Sequence, residues 1–224
     1  MLLHITVANP VTGTTESKFV AVGDSPVWDR LHNILLFANH TDNLHKRNIY
    51  VKRDRKIQEI EPLASEPFMD KEYIYYTKLA SDNFKPTGIV RAKKNNFTEK
   101  QQLTFGSDYN GVILKNGLLC FLRSSGELDG KFSIIFFDLA SREERNRINI
   151  DTKDAQSDLR ITISPAGDKL LVSLYHSTWI GKDPLSGESR NFKNNINIFA
   201  YVYTLFLYDL KELSNKGHLE KIAF

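Results

Sequence analysis

A single cysteine, Cys120, is all the thiol this chain carries, so no internal disulfide can form and a disulfide-stapled scaffold is excluded. It sits inside the apolar run LLCFL, where a thiol is expected to be buried and inert. Long hydrophobic runs are missing as well. The N-terminus, MLLHITVANP, has no basic leader and only a few apolar residues before His4, so it reads as neither a secretion signal nor a membrane span. As written the chain is expected to start in the cytoplasm, or to be periplasmic or extracellular if its true N-terminus lies upstream. Charge of one sign is scarce too: 30 basic residues stand against 27 acidic ones, a formal net charge of +3. That small surplus is spread along the chain, so nucleic acid is not the expected partner. The most basic stretch, HKRNIYVKRDRK from His45 to Lys56, interleaves Ile49, Tyr50 and Val51 as a strand with one wet face does; the competing reading is a phosphate-binding strip. The sequons at Asn39 and Asn96 have no secretory context and carry no argument.

Amphipathic helices are also lacking. No stretch holds a helical period of convincing length, and only AQSDLR near 155 and DLKELSN at 209–215 could form a helical turn. With 224 residues and 41% hydrophobic composition the chain is nonetheless large and apolar enough to fold around a core.

What is present is a faint repeat. The apolar runs ILLFA at 34–38, YIYYT at 73–77, LLCFL at 118–122 and LLVSL at 170–174 begin 39, 45 and 52 residues apart. A proline precedes three of them, in Ser25-Pro26, Glu66-Pro67 and Ser164-Pro165, whereas the third copy reads NGVILKNG and keeps only a turn. A second run follows each: NIYVK at 48–52, TGIVR at 87–91, SIIFF at 133–137 and TLFLY at 204–208. Short closing segments complete the units, starting at Lys56, Lys100, Arg145 and His218. Each unit therefore reads as four short strands in about 40 to 50 residues, with Asp, Asn, Gly, Lys and Pro at the turns.

A four-stranded sheet of that size must be covered on both faces by its neighbours, and radial stacking achieves this. The expected fold is an all-β propeller of about four four-stranded blades: 25–65, 66–106, 107–158 and 159–224. A β-sandwich is the rival, but it gives no reason for a turn phrase to recur at a blade's period. Residues 1–24, with LLHITVA and KFVAV, look like the last two strands of a preceding blade. The chain thus begins in mid-blade. An open ring is expected, one completed by a further segment of a longer protein or by another chain in an oligomer, or else closed off by the half blade packing as a cap.

The phrase SPAGDKLLVSLY resembles the WD-like Pro-Asp repeat of TolB-like propellers, S-P-D-G-K-x-[IL]-[AV]-F…IY-x-x-D…LT. Ser164, Pro165, Gly167, Lys169, Leu170 and Leu171 match it, with Ala166 in place of the usual Asp and Asp168 beyond the glycine. Ile49-Tyr50 matches the IY, Asp138 and Asp209 the later Asp, and Leu103-Thr104 the closing LT. The resemblance implies a propeller and, as in TolB-like proteins, a role in protein–protein contacts.

Motifs for chemistry are lacking: no nucleophile elbow, P-loop, dinucleotide fingerprint or zinc spacing occurs, and no cofactor or metal is expected. Asp29 and Asp70, in PVWD and PFMD, occupy matching positions; they could serve as an acid and base pair of the glycosidase kind, but capping of a tight turn is the expected role. His40, Asp42 and His45 crowd one loop without a metal register. Trp28 is expected in the core, and Trp179 in a loop of more than 20 residues spanning 176–199. In a propeller the second-to-third-strand connections of all blades emerge on one face. Here these are 39–47, 78–86, 123–132 and 176–199, and the candidate binding residues on them are His40, Arg47, Arg123, Asp129, His176, Trp179 and Lys182. The expected activity is non-enzymatic binding of a protein or peptide. The alternative is the propeller of an enzyme, either the gating domain of a prolyl-oligopeptidase-like peptidase or a five-bladed glycosidase-like fold.

Overall fold

The structure is a computed structural model that describes residues 2–8, 15–22, 24–40, 46–125, 131–151, 158–164, 166–179, 199–210 and 221–222. Two strands, β1 (Leu2–Ala8) and β2 (Thr15–Val22), form an antiparallel pair of their own. Four antiparallel four-stranded sheets follow, each built from consecutive strands. The first holds β3 (Asp24–Asp29), β4 (Ile34–His40), β5 (Arg47–Arg53) and β6 (Lys56–Glu61). The second holds β7 (Ala64–Met69), β8 (Tyr73–Leu79), β9 (Pro86–Lys93) and β10 (Asn96–Gln102). The third holds β11 (Asp108–Ile113), β12 (Leu118–Ser124), β13 (Lys131–Asp138) and β14 (Glu143–Asp151). The fourth holds β15 (Asp158–Ile163), β16 (Lys169–Trp179), β17 (Phe199–Asp209) and β18 (Lys221–Ile222). These are the four blades of a β-propeller, and the chain divides into two compact units, Met1–Ile113 and Leu114–Phe224.

The apolar runs become the second strands of the blades, and their continuity follows from being covered on both faces. In β4 every residue from Ile34 to Ala38 is buried, and in β12 every residue from Leu119 to Leu122. A sheet with one wet face would alternate instead. In the first unit, Ile34, Leu36 and Ala38 of β4 and Ile49 and Val51 of β5 pack against Ala64 of β7, Ile74 and Tyr76 of β8, and Val90 and Ala92 of β9. Alternate residues of two neighbouring blades thus make one core between them. On the other side of the second blade Phe68 stacks on Tyr75, with ring centroids 4.9 Å apart. The outermost strands carry the polarity: Lys56–Glu59 of β6 and Thr98–Lys100 of β10 are exposed.

Two of the repeat's prolines lie within strands. Ser25-Pro26 and Glu66-Pro67 lie inside the first strands β3 and β7, not in turns, and the register slips there, between Asp24 and Val27 and between Ser65 and Phe68. Ser25 and Glu66 have positive φ, 49° and 51°, and Asn110 in β11 has the same conformation at 48°. A bulge of this kind admits proline because the ladder hydrogen bond is already interrupted. Ser164, by contrast, opens the β15–β16 turn, and its partner Pro165 lies outside the described residues. The Ser164 Oγ accepts the amide hydrogens of Asp168 (3.2 Å) and Lys169 (3.1 Å), while Gly167 takes φ +70°.

Two further expectations are corrected. The DLR of AQSDLR is strand, the start of β15. In DLKELSN, Asp209 ends β17 and Leu210 is helical, and the residues after it lie outside those described. Trp28, expected in the core, is 45% exposed, although its cross-strand partner Leu35 is buried. The closing Leu103-Thr104 pair is buried and extends the second blade beyond β10. The Leu103 amide donates to the Ile89 carbonyl (2.8 Å), and the Thr104 hydroxyl accepts from the Ile89 amide (3.0 Å). Cys120 is fully buried, and burial pushes its thiol far above the ordinary range. A thiol reagent is therefore expected to leave the folded chain unlabelled and to label it fully in guanidinium; fast labelling without denaturant would contradict this packing.

Candidate functional site

Two edges of the blades could hold a site. One carries the second-to-third-strand connections that the repeat points to. The other carries the first-to-second and third-to-fourth turns, at the opposite ends of the same strands.

On the first edge, His40 and Arg47 are cross-strand partners at the β4–β5 end, and an Arg47 Nη2 lies 3.8 Å from Asp24 Oδ2. Arg123, at the end of β12, lies 5.5 Å from the Phe121 ring and donates to Glu144 Oε2 at 3.2 Å. It lines a cleft of about 530 Å³ with Lys131, Phe132 and Arg147 among its walls. Glu144 also accepts two hydrogen bonds from Arg147, at 2.7 and 3.0 Å, and these outweigh burial in holding its carboxyl below the usual range. His176 and Trp179, read from the sequence as loop residues, belong to β16 and pair with Val202 and Phe199, and residues 180–198 lie outside the described ones. Asp129 and Lys182 lie outside the described residues, as do Asp42, His45 and Glu127.

The β16–β17 hairpin differs from its counterparts. Each of its strands has 11 residues, against six to eight in β3 to β13. Among the described residues β15 pairs with β16 only as far as Tyr175 and β18 pairs only with Leu207 and Tyr208, whereas His176–Trp179 and Phe199–Val202 pair with each other. The register sets Trp179 opposite Phe199, Ser177 opposite Tyr201 and Tyr175 opposite Tyr203.

The second edge was not read from the sequence as a site. In the first unit it presents a cleft of about 450 Å³ lined by His32, Ile34, Arg53, Lys71, Glu72, Tyr73, Lys93, Lys94 and Asn95. Asp29 caps its turn as expected: Oδ1 accepts the amides of Leu31 (3.0 Å) and His32 (3.2 Å). Its Oδ2 faces His32 Nδ1 at 2.7 Å and accepts from the Lys94 ammonium. The Lys94 bond above all, with those from His32, holds the Asp29 carboxyl well below its usual range despite the cost of burial. Asp70 caps the equivalent turn of the second blade, accepting from the amides of Glu72 (2.8 Å) and Tyr73 (2.7 Å), and its other oxygen takes the Tyr75 hydroxyl (2.5 Å). Both carboxylates are thus engaged in turn structure. Lys94 is the junction. Its amide donates to the Glu72 carbonyl (2.9 Å), its carbonyl accepts from Arg53 (3.0 Å), and its buried ammonium reaches back across the blades to Asp29. A sequence signal for this edge exists in hindsight: VKRDRK at 51–56 and VRAKKN at 90–95 put basic residues at the end of the third strand in two successive blades.

No protein-family model matches the chain, and no curated protein matches it. Solved structures do. The β-propeller domain of the Trilobed protease from Pyrococcus furiosus aligns over 91% of this chain and 57% of its own, at 12% identity and a TM-score of 0.54. TolB from Acinetobacter baumannii aligns over 75% of this chain and 45% of its own, at 18% identity and a TM-score of 0.52.

The fold is a β-propeller, similar to those of TolB and of the peptidases.

The acylaminoacyl peptidase of Pyrococcus horikoshii gives 16% identity and a TM-score of 0.54, covering 92% of this chain. This propeller spans 57%, 45% and 32% of the lengths of those three structures. Among the described residues, no helix is long and apolar enough to cross a membrane.

Proposed function

We propose that this propeller is a non-catalytic binding module for a protein or peptide, with the β16–β17 ribbon as the principal contact. The single observation that supports this most is the ribbon's length. A two-stranded ribbon is at best marginally stable in water by itself, and among the described residues neither β15 nor β18 pairs with its outer edges. An added strand from a partner satisfies both needs. Aromatic residues concentrate on this stretch, with Tyr175, Trp179, Phe199, Tyr201 and Tyr203 within the paired segments, and such residues dominate binding energies at protein interfaces. Arg123, at the same end of its strand β12 as His176 and Trp179 in β16, adds a charge within the same unit.

The test is a chain in which 177–201 is replaced by a two-residue turn. Its melting temperature is expected to change little, and a partner captured by the intact chain is expected to be lost. Undiminished capture by the shortened chain would remove the ribbon from the account.

A second reading is the propeller domain of a peptidase. It is favoured by the match to acylaminoacyl peptidase, of whose length this chain covers 32%. A G-x-S-x-G serine encoded in the same gene would decide for it.

A further inference from the structure

We infer that the cleft on the turn edge of the first two blades binds a small, hydroxyl-bearing phosphate monoester. This site is separate from the ribbon and does not depend on the proposed function.

Five basic side chains, His32, Arg53, Lys71, Lys93 and Lys94, converge on the cleft from four turns and strand ends, against one carboxylate, Glu72. Their charges are not equally committed. Lys94 is met by Asp29, and Lys93 by Glu99 at 2.8 Å. Lys71 is exposed and makes no ion pair among the described residues, and Arg53 makes none either, giving one N–H to the Lys94 carbonyl at 3.0 Å and keeping the others. Two cations thus remain for an anion. The Asp29 contact at 2.7 Å also fixes the His32 ring by Nδ1, which leaves Nε2 as the outward nitrogen.

The arrangement suits phosphate better than carboxylate. A guanidinium fork and a lysine point charge on separate turns approach from different directions, which a tetrahedral group with three free oxygens can meet together. A planar carboxylate has only two oxygens to offer. The volume, about 450 Å³, exceeds the needs of the anion and leaves room for the ester portion over Ile34 and Tyr73. The Tyr73 ring is held in place by Arg91, 4.4 Å from its centroid. Glu72 repels a second anionic group and accepts a hydroxyl hydrogen bond, so the ligand class is a single phosphate on a small polyol or sugar.

Calorimetric titration of the full chain with inorganic phosphate, glycerol 3-phosphate and acetate tests this. One saturable site for each phosphate compound is expected, with acetate far weaker. Lys71→Glu is expected to weaken both phosphates at least about tenfold, while Lys85→Glu, in the exposed β8–β9 connection at the other end of the blade, changes neither. Glu72→Gln is expected to weaken glycerol 3-phosphate more than inorganic phosphate. Absence of saturable phosphate binding, equal loss in the two lysine variants, or acetate binding as tight as phosphate would overturn the assignment. Because Lys71 and Lys85 are both exposed, unchanged melting curves separate loss of the site from loss of the fold.

Discussion

Lys94→Ala is expected to lower the free energy of unfolding by about 3–5 kcal/mol, the cost of stranding one partner of a buried ion pair. The size follows from position. The Lys94 side chain is 8% exposed and that of Asp29 12%, and the bond joins residues 65 apart in sequence, in two different blades. Denaturant or thermal melts read the effect; a variant as stable as the parent would show that the pair does not hold the blades together. The same pair gives a pH dependence whose sign is fixed. Contacts in the folded state push the Asp29 carboxyl below its ordinary value of 3.8, so its contribution is complete above that pH and fades as pH falls further. Asp29→Asn is expected to lower stability at neutral pH and to flatten the acid limb of the stability curve below about pH 4.

Gly88→Ala should be comparably damaging, by about 3–5 kcal/mol or to the point of failing to fold. Gly88 has φ +129°, and a methyl group there would lie 2.1 Å from the Thr104 carbonyl oxygen and 2.6 Å from Gln102 Nε2. The backbone carbonyl cannot yield, because Leu103 and Thr104 are both hydrogen-bonded to Ile89. Gly117→Ala is the control. Gly117 also has positive φ, +83°, but no atom lies within 4 Å of the added carbon, so only the conformational penalty of about 1–2 kcal/mol applies. Similar melting temperatures for the two variants would mean that the close approach at Gly88 relaxes.

The blades were legible because burial on both faces writes unbroken apolar runs at a regular spacing, and ILLFA, YIYYT, LLCFL and LLVSL are the second strands. The aspartates at 29 and 70 were legible for the same reason: a carboxylate just before a tight turn has amides within reach. The prolines misled. Ser25-Pro26 and Ser164-Pro165 look alike as dipeptides, but the first lies in a strand bulge while Ser164 opens a turn with its hydroxyl, a difference in hydrogen bonding that sequence spacing does not reveal. Trp28 misled because composition favours burying a tryptophan, whereas this one is 45% exposed opposite a buried Leu35. The basic cleft stayed hidden because its members, from His32 to Asn95, come from four connections that only blade stacking brings together. Arg53 stands in the basic run from His45 to Lys56, but the run alone did not show that Lys71 and Lys94 would join it.

The outermost strands have a bearing on how copies of this protein behave in a crowded solution. Lys56, Gln58 and Glu59 in β6, Glu99 and Lys100 in β10, and Glu143, Glu144, Arg145 and Arg147 in β14 line the rims with charge of both signs. A rim strand of a second molecule sliding alongside would have to shed water from these groups before any backbone pairing formed. Pairing of two molecules rim to rim is thereby made costly.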